Sequence, residues 1–172
     1  MIKALITTVP FAEKNKLPLE MLKDANIEYL INPYNKKLSE SELSAIVGDF
    51  DIIIAGTEII SDQVMSRAPK LKLISRVGVG LDGVDLAAAR RRNIDVSYTP
   101  SAPAPAVAEL TLGLLLTLLR STHVANAKMH RGEWHRISGR RIANVTVGII
   151  GVGRIGLRVL RRIRAFGTPK LL

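Results

Sequence analysis

The sequence predicts an α/β chain in two parts: a parallel-sheet unit over residues 1–99 and the opening of a second βα unit over residues 100–172. Three observations carry this expectation. Short apolar runs alternate with helix-patterned segments up to residue 98, the pattern of a parallel sheet covered by helices. A stiff stretch, Thr99-Pro100-Ser101-Ala102-Pro103-Ala104-Pro105, then interrupts the alternation. A last apolar run, Val145–Ile150, leads straight into Gly151-Val152-Gly153-Arg154-Ile155-Gly156.

The first unit is built in order. Lys3–Thr7 is a strand, Leu17–Ala25 a helix by the spacing of its apolar residues, and Ile27–Ile31 a second strand. Ser39–Val47 is a helix with Ser39 at its N-cap and Glu42 three residues on, the spacing of a capping box. Asp51–Ala55 is a buried strand, Ser61–Ala68 a short helix stopped by Pro69, and Leu71–Arg76 the fourth strand. Asp85–Arg92 is a helix and Ile94–Ser97 the fifth strand. Asp82 and Asp85 have the spacing of a cap on that last helix and are expected to be structural.

After the prolines, Ala106–Arg120 is a long helix that is apolar on most faces, so it is expected to be buried nearly all round, between domains or subunits. Residues 121–144 are polar and basic, with Trp134 among them, and are expected to form an arm or connecting segment. A helix follows the glycine motif, with apolar residues at Ile155, Val159, Ile163 and Phe166. Thr168–Leu172 has the look of the next strand.

Composition narrows the classes. At 47% hydrophobic and 23% charged residues the chain is globular in composition. It has no cysteine, which removes disulfides and thiolate metal sites; no metal site is expected. Its start lacks the long apolar run of a secretory signal, and its longest uncharged apolar stretch, Leu110–Leu119, is too short for a bilayer, so a cytoplasmic protein without a membrane partner is expected. The net charge of +10 is uneven: residues 1–88 carry 10 Lys/Arg against 12 Asp/Glu, and residues 89–172 carry 15 against 3. That asymmetry suits either nucleic acid or an acidic remainder of the protein. No aromatics are interleaved with the arginines, so no nucleic-acid partner is expected. Most of Arg154, Arg158, Arg161, Arg162 and Arg164 avoid the apolar stripe of the last helix and are expected on a solvated face, with Arg154 inside the loop as the exception.

The glycine motif carries the chemistry. GxGxxG alone is weak evidence, but here a strand precedes it and a helix follows it. Gly151 allows the tight turn, Gly153 lets the backbone approach a pyrophosphate, and Gly156 lets the helix pack close to the sheet. The free N–H groups and dipole of the helix N-terminus then hold the phosphate charge. Gly151, Gly153, Arg154, Ile155 and Gly156 are therefore the candidate cofactor-binding residues. The acidic residue that binds the adenosine ribose in such folds comes about 20 residues later, past Leu172. The sequence is accordingly expected to be the N-terminal part of a longer protein.

Three segments in this order resemble one family: Ser75-Arg76-Val77-Gly78-Val79-Gly80-Leu81-Asp82-Gly83-Val84-Asp85, Val107-Ala108-Glu109-Leu110-Thr111-Leu112-Gly113-Leu114-Leu115-Leu116, and Val147-Gly148-Ile149-Ile150 running into the glycine motif. Together they resemble the D-isomer-specific 2-hydroxyacid dehydrogenases of the phosphoglycerate-dehydrogenase type, over the whole chain. The resemblance implies a flavodoxin-like substrate-binding domain interrupted by a Rossmann NAD-binding domain, of which the chain would hold the first part. It implies an active site in the cleft between them, and a homodimer through the Rossmann-side helix and the Trp134 arm. It also implies an NAD-dependent oxidation of a small D-2-hydroxy acid, with the 2-keto acid as product. The substrate carboxylate would be held by the backbone of Val77, Gly78 and Val79, and Val79 would also face the cofactor. Arg76 resembles the arginine placed near the substrate's anionic group in phosphoglycerate-type members, which favours a 3-phosphoglycerate-like substrate; a guanidinium fork suits such an anion. Glu109 and Thr111 match the interface helix, and Thr111 is expected to pack there.

Departures touch the hinge and cofactor edge. Tyr98 stands where the family usually has asparagine, Ser101-Ala102-Pro103-Ala104-Pro105 replaces a glycine/asparagine-rich turn, and Gly83 stands where asparagine is common. The family's catalytic arginine, histidine and carboxylate map onto no residue here. His123, His130 and His135 lie in the wrong segment and are expected at a surface or interface. No catalytic residue is nominated, and the chain alone is expected to be inactive. Two other readings suit the same sequence: a dinucleotide-sensing regulator or corepressor of the same fold, and a nucleic-acid-binding fragment whose affinity would fall steeply with salt.

Overall fold

A computed structural model describes residues 1–167 and 169–172. The chain divides into two compact units, Met1–Pro100 and Ser101–Leu172. In the first unit five strands form one parallel sheet: β1 (Ile2–Ile6), β2 (Ile27–Ile31), β3 (Ile52–Ala55), β4 (Leu73–Arg76) and β5 (Asp95–Tyr98). Their order is β2-β1-β3-β4-β5, the flavodoxin-like order, whose direction of winding reverses between β1 and β3. The register pairs Ala4 with Ile52 and Ile52 with Leu73, so the C-terminal ends of β1, β3 and β4 rise together.

Four helices connect these strands: α1 (Leu17–Asp24), α2 (Glu40–Ile46), α3 (Asp62–Ser66) and α4 (Leu86–Arg91). Period-two alternation sends Leu5, Ile53 and Ile74, all fully buried, into one core with Leu43 of α2, Val64 and Met65 of α3, and Ala88 and Ala89 of α4. Burying a side chain of that size contributes roughly 1.5–3 kcal/mol. By contrast α1 buries no residue, and its Leu17 and Met21 are exposed.

The caps follow the sequence. The Glu42 N–H donates to Ser39 Oγ at 3.3 Å and the Ser39 N–H donates to Glu42 Oε2 at 2.9 Å, closing the capping box. A hydrogen bond from Lys36, with those from Ser39, holds the Glu42 carboxyl down at about 2. Asp85 caps α4 by accepting the Ala88 N–H at 2.9 Å; Asp82 is not the cap. A Cβ at Gly83 would lie 2.7 Å from the Glu58 carbonyl oxygen, which accounts for glycine at this position: Gly83 passes directly under the segment that leaves β3.

The second unit contains α5 (Ala104–Arg120), α6 (Thr122–His130), β6 (Thr146–Val147), α7 (Gly156–Ile163) and β7 (Lys170–Leu171). Pro105 sits in the first turn of α5, where its missing N–H costs nothing. β6 and β7 pair in parallel, and the Ile149 N–H extends the ladder to Leu172 O at 2.8 Å. The expected strand Val145–Ile150 is thus shorter by pairing, because β7 offers only a few residues to bond. Of the expected run from Thr168, that residue itself lies outside the described residues.

One expectation is corrected here. Residues 121–144 are not simply an arm: α6 occupies Thr122–His130, bent 69° from α5 at Ser121, whose φ of 52° is left-handed. Serine gives no sequence warning of a left-handed break, where glycine would have. In the second unit α5 buries one stripe, and its other face is exposed. Only Ala104 and Ala108 are buried, and Leu110, Leu114 and Leu118 are 62%, 56% and 68% exposed. One stripe of α5 packs on α7 around Ala108, Ile142, Val159 and Ile163, and the opposite stripe is exposed. Phe166, expected on the apolar stripe of the last helix, is 41% exposed in the turn beyond α7. Among the described residues no single helix is long and apolar enough to cross a membrane.

Candidate functional site

The glycine turn of the second unit has the backbone geometry its residues suggest. Gly151 has φ +90°, which an L side chain rarely adopts. A Cβ on Gly156 would stand 2.0 Å from the Gly151 carbonyl oxygen and 3.4 Å from Ile149 Cγ2, so only glycine lets α7 start this close to the turn. A Cβ on Gly153 would meet nothing within 4 Å; glycine there is not required by the fold and leaves the outer side of the loop bare. The helix begins with the Leu157 N–H donating to Gly153 O at 3.0 Å. Among the described residues the N–H groups of Gly153, Arg154, Ile155 and Gly156 have no partner. Unpaired donors at the start of a helix suit an anion. Arg154 is exposed, and its carbonyl accepts from Arg158 Nη1 at 2.7 Å.

A cavity of about 430 Å³ adjoins this turn, walled by Thr111, Leu115, Ile149, Gly151, Ile155 and Val159. Thr111 donates its hydroxyl to Val107 O at 2.7 Å, one turn back along α5, and so is satisfied within its own helix. Glu109 accepts from Arg162 Nη2 at 3.0 Å and ties α5 to α7. Both residues are nonetheless exposed within the second unit.

In the first unit, residues 76–80 leave the C-terminal end of β4, the edge of an open α/β sheet where ligands bind. The Val77 N–H donates to Ala55 O at 2.9 Å and is part of the sheet ladder. The Gly78 N–H donates to Thr99 Oγ1 at 2.8 Å, and the Thr99 N–H donates to Gly78 O at 3.0 Å, clasping the loop to the end of β5. Gly78 has φ +150° and lies under the Arg76 guanidinium. That guanidinium donates to the Val77 carbonyl. Of the three amides expected at a carboxylate, two are engaged within the chain; among the described residues the Val79 and Gly80 N–H groups have no partner.

A second feature at this sheet edge escaped the sequence. Where the winding reverses, a crevice of about 110 Å³ is lined by Thr7, Thr8, Lys37, Gly56, Glu58 and Val77, among others. Glu58 is 3% exposed, and its Oε1 accepts from the Thr7 hydroxyl and, at 2.8 Å, from the Gly56 N–H. Asn32 is also buried; its amide donates to Lys36 O at 2.8 Å and to Thr7 O at 3.3 Å. The available signal was an acidic residue just after a fully apolar strand, but its meaning depends on the strand order. His123, His130 and His135 are all exposed. Among the described residues no group of three or more His, Cys, Asp or Glu is placed to hold a metal ion.

A parallel sheet in this order, followed by a βα unit with a glycine turn, defines an α/β protein of the nucleotide-binding kind. The chain belongs to the D-isomer specific 2-hydroxyacid dehydrogenases: the model of that family's catalytic domain matches residues 9–168. It is 42% identical over 134 residues to a D-3-phosphoglycerate dehydrogenase of Methanocaldococcus jannaschii, covering 76% of this chain and 25% of the relative. It is 35% identical over 137 residues to a hydroxypyruvate reductase of Thermotoga maritima, covering 77% of this chain and 44% of the relative. Among solved structures, a Thermus thermophilus protein superposes with a TM-score of 0.86 at 32% identity, over 99% of this chain and 60% of that one. The crystal structure of cofactor (NAD+)-bound 3-phosphoglycerate dehydrogenase of Entamoeba histolytica superposes with a TM-score of 0.78 at 28% identity, over 99% of this chain and 52% of that one. The chain thus spans a quarter to less than half the length of these curated relatives.

Proposed function

We propose that this chain is the ligand-holding part of an NAD-dependent oxidoreductase acting on the CH–OH group of a small D-2-hydroxy acid. The observation that carries it is the turn at residues 151–156, where a left-handed Gly151, a Gly156 seated on the Gly151 carbonyl and four unpartnered N–H groups come together. When bound, the nicotinamide cofactor supplies the hydride acceptor or donor. The residues of this chain do the holding. The amides of Gly153–Gly156 and the N-terminus of α7 neutralise the pyrophosphate, with Arg154 beside them. The Val79 and Gly80 N–H groups take the acid's carboxylate, and Arg76 joins them by releasing the Val77 carbonyl. Among the relatives, the name D-3-phosphoglycerate dehydrogenase supports a 3-phosphoglycerate-like acid, and hydroxypyruvate reductase an unphosphorylated one.

Nothing among these residues is placed to exchange a proton with the acid's hydroxyl, so the 172-residue chain should bind without turnover. Calorimetry with NADH is expected to give a Kd on the order of 0.1–1 mM, and NADH should stay unoxidised when hydroxypyruvate is added. No heat at millimolar NADH, or oxidation of NADH by the chain alone, contradicts this reading.

The exposed leucine stripe of α5, together with Trp134 at 84% exposure, supports a pairing of two chains through this face; exposed apolar stripes of this kind mark interfaces. Sedimentation velocity should show dimers that Leu114→Asp converts to monomers. A wild-type monomer at every concentration overturns the pairing.

A further inference from the structure

The β1/β3 switch point holds a buried carboxylate that the proposed function leaves unused. Glu58 is fixed from several sides. Its Oε1 accepts from the Thr7 hydroxyl and the Gly56 N–H. Its backbone carbonyl lies against Gly83, where a Cβ would come within 2.7 Å. Two residues on, the Ile60 N–H donates to Gly83 O at 2.7 Å, and Ile60 bridges to Val84. The carboxylate therefore has little freedom to swing away. Among the described residues its Oε2 accepts no hydrogen bond, although Glu58 is only 3% exposed. The small crevice it lines also includes Val77, the first residue of the loop assigned to the acid's carboxylate.

We propose that this crevice receives the distal end of the substrate and selects an uncharged, hydroxyl-bearing end over a phosphate, with Glu58 as the discriminating residue. The inference rests on the reading that places the acid at residues 76–80, and it narrows that reading. An ionised carboxylate only accepts hydrogen bonds. A hydroxyl donates to Oε2 and completes its bonding with a charge-assisted contact. A phosphate monoester carries nearly two negative charges at neutral pH, and it brings them to a carboxylate that water screens poorly. Lys37 is the cation on the same crevice, but it is exposed, and solvent and salt screen its charge. The buried charge therefore outweighs the exposed one. Arg76 does not line the crevice; its guanidinium is turned to the Val77 carbonyl.

The test is a titration of the ¹⁵N-labelled chain with D-glycerate, D-3-phosphoglycerate and D-lactate, the last lacking the distal hydroxyl. D-glycerate is expected to move the amides of Thr7, Thr8, Gly56 and Thr57 as well as Val79 and Gly80, and to bind at least about tenfold more tightly than either other acid. In Glu58→Gln, where the repelling charge is gone, the preference over D-3-phosphoglycerate should fall below about threefold. Equal binding of the two glycerates by the wild-type chain overturns the proposal, and so does a ratio that a folded Glu58→Gln leaves unchanged. The wild-type comparison decides even if the variant does not fold. If no acid moves Val79 and Gly80, the placement of the acid and this proposal fall together. If those amides move without the expected ranking, only the role of Glu58 falls.

Discussion

Gly156→Val is expected to abolish measurable NADH binding and to destabilise residues 101–172. A Cβ at this position would stand 2.0 Å from the Gly151 carbonyl oxygen, and the obstacle is backbone on both sides. A flexible side chain could yield, but here either α7 must move off the turn or the turn must open. Overpacking costs typically 1–3 kcal/mol and occasionally more; a backbone clash of this depth belongs at the upper end, at about 3 kcal/mol. The N–H groups proposed to hold the pyrophosphate lose their common aim once α7 shifts. Gly153→Ala supplies the contrast, since no atom lies within 4 Å of its new methyl. Its thermal stability should match wild type while NADH affinity falls about tenfold, because the methyl occupies the outer side of the loop where the diphosphate approaches. Calorimetry and thermal denaturation on the two variants separate the effects. Wild-type affinity in Gly156→Val would show that the turn is not the binding element.

Ile163→Ala is the second large effect, on stability. Ile163 is fully buried at the centre of a small core whose other buried members are Ala108, Ile142 and Val159. Removing its branched side chain costs about 2–5 kcal/mol, against roughly 5–15 kcal/mol for an ordinary domain. A core this small has few neighbours to collapse into the gap. The same change at Ile74 strikes a core of many more buried residues, from Leu5 on β1 to Ile94 before β5. Ile163→Ala should therefore erase the dispersed amide resonances of residues 101–172 at a temperature where those of residues 1–100 persist. Retention of both sets up to the wild-type melting temperature contradicts the assignment of Ile163 as the keystone of the second core.

Much of the fold was legible because it depends on local signals. The five apolar runs became five strands, and Ser39 with Glu42 closed the capping box that their spacing suggests. The roles of Gly151 and Gly156 followed from the spacing of the motif and hold in the geometry. What failed to show depends on tertiary context. The α5 leucines look uniformly apolar in sequence, and nothing local separates the stripe on Val159 and Ile163 from the stripe at Leu110, Leu114 and Leu118. Ser121 adopts a left-handed conformation without a glycine, so the start of α6 was hidden. At residues 77–79 the family resemblance implied a carboxylate held by three residues' backbone, and the ladder bond to Ala55 and the Thr99 clasp engage two of those amides. Glu58 had no meaning until β1 and β3 were known to be neighbours, because Thr7 lies 51 residues away in sequence.

The proposed function rests on the backbone amides of residues 151–156 holding a diphosphate. Amide chemical-shift mapping with NADH on the ¹⁵N-labelled chain reads these groups one by one. The largest shifts are expected at Gly153, Arg154, Ile155 and Gly156, reproduced by pyrophosphate alone. Shifts confined to the exposed arginines of α7 and to residues 131–141, with the glycine turn unmoved, would contradict that function.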